Sequence, residues 1–164
     1  MKLLRTIRFD VSDTFVFDKA AEPGEWAVPG AFAFAHLAAD DLKGKTRQAF
    51  ANGFLGLSSF GRSTFATVGE ALPEDEAQMV EMLASHFIEA WGAPTLDEAR
   101  EVARDEVAFV ADLVKDADIN TVFALRRSFD GDGGMKEEFR TLQKQSLEDQ
   151  HANARIWSVV DDEA

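Results

Sequence analysis

The stretch Gly56-Leu-Ser-Ser-Phe-Gly61-Arg62-Ser63 stands one substitution from the phosphate-binding pattern G-x-x-x-x-G-K-[ST]. That chemistry needs a strand before the loop, amides converging at the start of a following helix, and a lysine that reaches the phosphates. Here a helix-like segment precedes Gly56, the strand-favouring residues 63–68 (STFATV) follow, and Arg62 replaces the lysine. The stretch therefore reads as a glycine-rich connection between a helix and a strand. Arg62 is left as a cation able to hold a small anion.

Other residue groupings open or close further chemistries. Asp130-Gly-Asp-Gly-Gly134 suggests a calcium loop, but counting from Asp130 puts Gly134 fifth, Met135 sixth and Thr141 twelfth, where a ligand, a glycine and a glutamate belong. Asp-Gly pairs supply the positive φ angles of hairpin turns, so a hairpin turn is expected there and no metal. His36, His86 and His151 share no metal-ligand or catalytic spacing, and His86 falls on the flank of a helix. No serine sits in G-x-S-x-G, because Gly56-Leu-Ser-Ser-Phe lacks the closing glycine. The chain has no cysteine and no tyrosine, which removes thiolate nucleophiles, disulfides, thiolate metal sites and phenol acids. No cofactor is expected.

Glu106 breaks a pattern. On a helical wheel it falls within the apolar stripe of its segment, between Val102, Ala103 and Val110. A carboxylate so placed must find a cation, reach past the core edge, or hold its proton more tightly. Arg62, Arg126 and Arg127 are the available cations. The pairing is read as structural, with a ligand site built from Glu106, Arg62 and one of the two tandem arginines as the alternative. In that alternative Arg62 holds an anionic group and Glu106 acts as base or hydrogen-bond acceptor.

The elements that must position these residues follow from periodicity. Residues 4–9 (LRTIRF), 14–19 (TFVFDK) and 31–35 (AFAFA) alternate like strands. In the second, Phe15 and Phe17 share a face; in the third, Phe32 and Phe34 oppose three alanines, as on a sheet with two different neighbours. A short helix is expected over 40–53, with Asp40 or Asp41 capping its start and Gly53 ending it. A strand follows over 63–71.

Pro73 fits a first helical turn, with Glu74, Asp75 and Glu76 at its positive end. Val80, Leu83, Ala84, Phe87 and Trp91 then recur at helical spacing up to Gly92. A second helix opens on the capping box Thr95-Leu-Asp-Glu98 and carries Ala99, Val102, Ala103, Val110, Leu113 and Val114. Strands are expected over 120–129, 135–143 and 154–160, the last as an edge strand beyond about residue 150. The order three strands, helix, strand, two helices, three strands predicts an α+β fold. It has a mainly antiparallel sheet of about six or seven strands, two long amphipathic helices and one short helix, in one domain spanning 1–164.

Charge bears on partners. The 164 residues carry a net charge of −13, and residues 70–118 hold fourteen acidic against three basic side chains. Such a surface repels phosphate backbones and anionic membranes, so neither nucleic acid nor membrane is an expected partner. The opening MKLLRTIRFD has no apolar run suited to a secretory signal, and no segment approaches the length of a membrane span. A cytoplasmic location is expected.

The segments MKLLRTIRFDVSDTFVFDKAAEPGEWAVPGAF and GFLGLSSFGRSTFATV resemble a family of short alphaproteobacterial proteins, a domain of unknown function. The resemblance runs to about residue 145. It implies no activity, cofactor or catalytic residue. Proteins of this kind are encoded near maturation factors of molybdenum-type formate dehydrogenases, so the resemblance implies an accessory role. Together the readings predict a non-catalytic accessory or interaction protein that meets a protein partner or a second copy of itself, with Trp26, Trp91 and Trp157 as candidate interface rings. The alternative is a small-anion binder or enzyme using Glu106, Arg62, Arg126 and Arg127.

Overall fold

The structure, a computed structural model, describes residues 1–9, 15–132, 134–144 and 157–161; for 143–144 and 157–161 it describes the backbone alone. Among the described residues there are eight strands: β1 (Lys2–Ile7), β2 (Trp26–Val28), β3 (Phe54–Gly56), β4 (Arg62–Ser63), β5 (Phe65–Glu70), β6 (Val122–Phe129), β7 (Met135–Lys144) and β8 (Trp157–Asp161). Three helices accompany them: α1 (Gly44–Asn52), α2 (Pro73–Trp91) and α3 (Leu96–Val114). The sheet order is β4-β3-β2-β1-β5-β6-β7-β8, with every pair antiparallel. The chain is thus α+β with an antiparallel sheet.

β4 and β5 stand four places apart in this order yet are separated in the chain by Thr64 alone. The two are one bent ribbon, pairing first with β3 and then with β1, so β1, β2, β3 and the ribbon close into a ring. Ser63 Oγ fastens the corner by donating to the carbonyls of Ile7 (3.0 Å) and Phe65 (2.7 Å). Consecutive Leu3 and Leu4 are both fully buried, as a strand covered on both faces requires. α3 lies on β1 and β2, and α2 packs along α3.

Local chemistry explains the helices. Pro73 opens α2, Asp75 Oδ2 accepts from the Leu72 amide at 2.8 Å, and Gly92 closes the helix at φ 70°. α3 begins with Thr95 Oγ1 accepting from the Glu98 amide at 3.1 Å. The buried row of α3 is Ala99, Ala103, Val107, Val110 and Val114, while Val102 is exposed, so the apolar stripe is rotated from the expected one. α1 starts at Gly44 rather than at residue 40. Asp41 instead caps a 3-10 turn over Ala39–Asp41, accepting from the Ala38 amide at 2.8 Å.

Two expected strands are absent. Residues 31–34 form a 3-10 turn entered through Gly30 at φ 73°. Alternation placed Phe32 and Phe34 on one face, but the turn sends them apart: Phe32 packs edge-on against Phe87 (4.7 Å), and Phe34 against Phe50 (5.5 Å). Over 15–19 the backbone bends, with Phe17 buried and Phe15 69% exposed, and only Ala20 forms a bridge, to Arg62. β2 and the β3–β4 hairpin take their place. The tail contributes β8 at the end of the sheet, and residues 154–156 of the expected strand lie outside the described residues.

The β6–β7 turn falls at Asp130–Gly134, but neither Gly131 nor Gly134 adopts positive φ. The Asp130 carboxylate does that work instead. Its Oδ1 accepts from the amides of Asp132 and Gly134, both at 2.9 Å, tying the far side of the turn back to its first residue.

Candidate functional site

The glycine-rich stretch, expected to connect a helix to a strand, is instead the turn between two strands of the β3–β4 hairpin, because β3 intervenes after α1. It does hold an anion, and the anion is the chain's own Glu25. The Glu25 carboxylate accepts from the amides of Ser58 (2.8 Å), Ser59 (2.6 Å) and Glu22 (2.6 Å) and from Ser59 Oγ (2.7 Å). Thr6 sets Glu25 in place, its Oγ1 accepting from the Glu25 amide at 3.0 Å. A Cβ on Gly56 would lie 2.8 Å from Glu25 Oε1, and one on Gly61 would lie 2.6 Å from the Ala20 backbone, so both glycines let chains approach. Burial pushes the carboxyl's pKa up, but the Ser59, Ser58 and Glu22 hydrogen bonds outweigh it and hold it below the ordinary range. A buried internal carboxylate fills the position an external phosphate would need.

Two of the four singled-out residues, Arg62 and Arg127, meet in one buried polar cluster around the Pro29 carbonyl and the Phe34 ring. Glu106, the expected partner of an arginine, stands at its edge with no ion pair among the described residues. Arg62, 9% exposed, donates to the carbonyls of Pro29 (3.3 Å), Gly53 (3.2 Å) and Gly30 (3.2 Å). Arg127, 2% exposed, donates to those of Phe50 (2.6 Å) and Pro29 (2.9 Å), and forks onto Glu137 Oε2 at 3.1 and 2.9 Å. Phe50 and Gly53 lie at the C-terminal end of α1, which has no basic residue in its last turn. The two guanidinium groups therefore cap that helix end from elsewhere in the fold, where the dipole favours cations.

The Phe34 ring lies 4.6 Å from one guanidinium and 5.3 Å from the other. Burial and then the Arg127 charge pull the Arg62 pKa down to about 9, opposed by Glu137, which leaves Arg62 cationic at neutral pH. Three of its N–H groups go to carbonyls, and through them it holds the turn at 29–34 and the end of α1 together.

Glu106 is half-buried on the flank of α3. Burial, and then the neighbouring Glu137, raise its pKa, while Arg127 lowers it in part. It lines a groove of about 230 Å³ between α3 and β7, with Glu137, Asp105, Val102 and Phe109. Val102 and Phe109 are 51% and 46% exposed, and Phe109 leans on Phe139 with ring centroids 5.7 Å apart. Arg126 does not join the cluster. It neighbours Arg127 on a strand, where successive side chains alternate, and it is exposed.

Glu25 and Glu137 are the site residues that the linear reading lacks. Nothing in the sequence marks Glu25, since the loop that grips it lies over thirty residues away. Glu137 was accessible: a hairpin turning over 130–134 puts it directly opposite Arg127, as the register has it. A third polar feature is His86, stacked on Phe60 at 3.8 Å and accepting at Nε2 from Trp91 Nε1 at 3.1 Å. Of the candidate interface rings, Trp91 is 40% exposed, Trp26 lies beneath the Arg5 guanidinium at 3.8 Å, and Trp157 belongs to β8, where side chains are not described.

Among the described residues, no helix is long and apolar enough to cross a membrane. A family model described as a family of unknown function (DUF6505) matches residues 1–156. No curated protein and no solved structure matches the chain.

Proposed function

Because the chain belongs to that family of unknown function, whose membership carries no activity with it, we propose from the geometry that it is a non-catalytic accessory protein. Its groove between α3 and β7 receives a partner protein. The observation that carries this reading is the pair Val102 and Phe109, one helical face of exposed apolar side chains standing over Glu106 and Glu137. Two carboxylates crowded together in a half-buried groove lack a full complement of positive charge. The occupant is therefore an apolar segment carrying a lysine or arginine, whose cation relieves Glu106 while its apolar side chains cover Phe109 and Val102. An accessory role, such as assisting the maturation of another enzyme, uses a surface of this kind and needs no catalytic group.

The test places a photo-crosslinking amino acid at Phe109 or Val102, with Arg104 on the other side of α3 as control, in the protein's own host. The linked peptide is then sequenced. An adduct at 102 and 109 but not at 104, joined to a segment with apolar and basic residues and weakened by Glu106→Gln, is the expected result. Equal adducts at all three positions, or none, overturn the proposal. An adduct to a second copy of this chain replaces it with a homodimer.

A further inference from the structure

Beyond the partner groove, a cavity of about 460 Å³ lies between α1 and the edge of β6 and has an unusual electrostatic make-up. Arg47, Arg126 and Arg127 line it, and among the described residues no carboxylate does, although the chain holds thirty acidic residues against seventeen basic ones. Arg127 is committed to Glu137 and two carbonyls. Arg47 and Arg126 are exposed and, among the described residues, form no ion pair. The cross-strand neighbour of Arg126 is Glu138, whose carboxylate turns to Lys136 at 3.3 Å.

The cavity exists because of sheet register. β5 pairs with β6 only as far as Phe65 with Ala124, so β6 runs on without a strand partner on that side. Asp130 bonds to Gly134 across the turn, and strand alternation then aims the backbone of Leu125, Arg127 and Phe129 toward α1. Asn52 of α1 takes the Leu125 carbonyl at 3.1 Å. Arg127 and Phe129 beyond it border the cavity, and the Phe50 and Phe129 rings, stacked at 4.7 Å, form an apolar wall.

We propose that this cavity is a binding site for a small organic anion, a carboxylate or phosphate ester with a flat apolar body. Arg47 and Arg126 grip the charged group, and the body lies against Phe50 and Phe129. Guanidinium groups fork onto either oxyanion, and the volume is in the range of small-ligand sites, roughly 300–1,000 Å³. The surrounding negative field, which keeps polyanions away, is locally reversed here.

Phenyl phosphate and benzoate are titrated into the full chain at constant ionic strength, following the arginine Nε–H and the Phe129 amide resonances by NMR. Expected is a saturable shift confined to Arg47, Arg126 and residues 127–129 for at least one of the two, weakened tenfold or more by Arg47→Gln or Arg126→Gln and unchanged by the exposed Lys45→Gln. Tighter binding of phenyl phosphate assigns a phosphate ester, and tighter binding of benzoate a carboxylate. Linear shifts matching those of sodium chloride, or binding indifferent to both arginine substitutions, overturn the proposal. All three substituted side chains are exposed, so a folding defect does not confuse the outcome. The result is also independent of the partner groove.

Discussion

Replacing Glu25 should cost more than any other single carboxylate change, because three backbone amides and a hydroxyl converge on it. In Glu25→Ala all four donors lose a charged acceptor. Each such bond is worth about 1.5–3 kcal/mol when made to a charged group. The losses do not add, since Ser58 is exposed and water reaches part of the loop. A net loss of about 3 kcal/mol follows, or a fall in Tm of about 6–12 °C at the roughly 2–4 °C per kcal/mol expected for a chain of this length. Glu25→Gln keeps the oxygen facing Ser58 and Ser59 but sets an amide against the Glu22 N–H, for a loss of about 1–2 kcal/mol.

The folded carboxyl has a depressed pKa. Its contribution is therefore complete above the unfolded value, about 4.3, and is lost as pH falls through the folded value. Urea denaturation followed by tryptophan fluorescence, repeated between pH 7 and pH 3, measures both effects. A Glu25→Ala protein within 0.5 kcal/mol (~1 °C) of the parent at pH 7, or a difference that persists unchanged at pH 3, would refute the reasoning.

Two further outcomes are expected. Arg127→Met leaves Glu137 facing Glu106 without its cation, strips the Phe50 carbonyl and leaves that of Pro29 to Arg62 alone, so stability should fall by about 3–5 kcal/mol. Adding Glu137→Gln should recover part of that loss, and urea midpoints that add within about 0.5 kcal/mol would show no coupling. The His86 ring is held neutral by burial, opposed by Glu89 and reinforced by Lys19 and Arg62, so its pKa lies below the ordinary 6.5. Its stabilising hydrogen bond from Trp91 is complete above the unfolded pKa and is lost as pH falls through the folded one. Tryptophan emission should titrate with a midpoint below 6.5, persist in His36→Gln and vanish in His86→Gln; a midpoint at or above 6.5 contradicts this account.

What was legible in the chain was whatever local chemistry decides. Pro73, Gly92 and Thr95 set helix ends through groups within five residues of themselves, and those ends are where the pattern places them. Residues 31–34 misled because a large–small alternation fits two conformations. Gly30, with a left-handed φ and a Cβ position only 2.7 Å from Leu55, selects the tight turn. β2 and β4 are too short for any periodicity to register, and their strand character comes from neighbours far along the chain. Glu106 was recognisable as an acid out of place. Its shared surroundings with Glu137 and Arg127 depend on how α3 turns against the sheet, which buries Val107 and exposes Val102. Arg62 and Arg126 looked equivalent on paper; strand alternation exposes Arg126, while the ring closed at Thr64 buries Arg62.

That closure bears on how the chain reaches its native state. The β3–β4 hairpin and the α2–α3 pair are made within short stretches, whereas β1 must find β5 across a span of 58 residues, from Ile7 to Phe65, rising to 68, from Lys2 to Glu70. Local units of this kind form in microseconds to milliseconds, and pairings of high sequence separation come later. Thr64 then converts the late event into an all-or-none one, because the strand that meets β1 is already tied to β3. Amide hydrogen exchange should find β1, β3 and β5 opening as a single unit, with the β6–β7 hairpin, which lies outside the ring, opening on its own at lower cost.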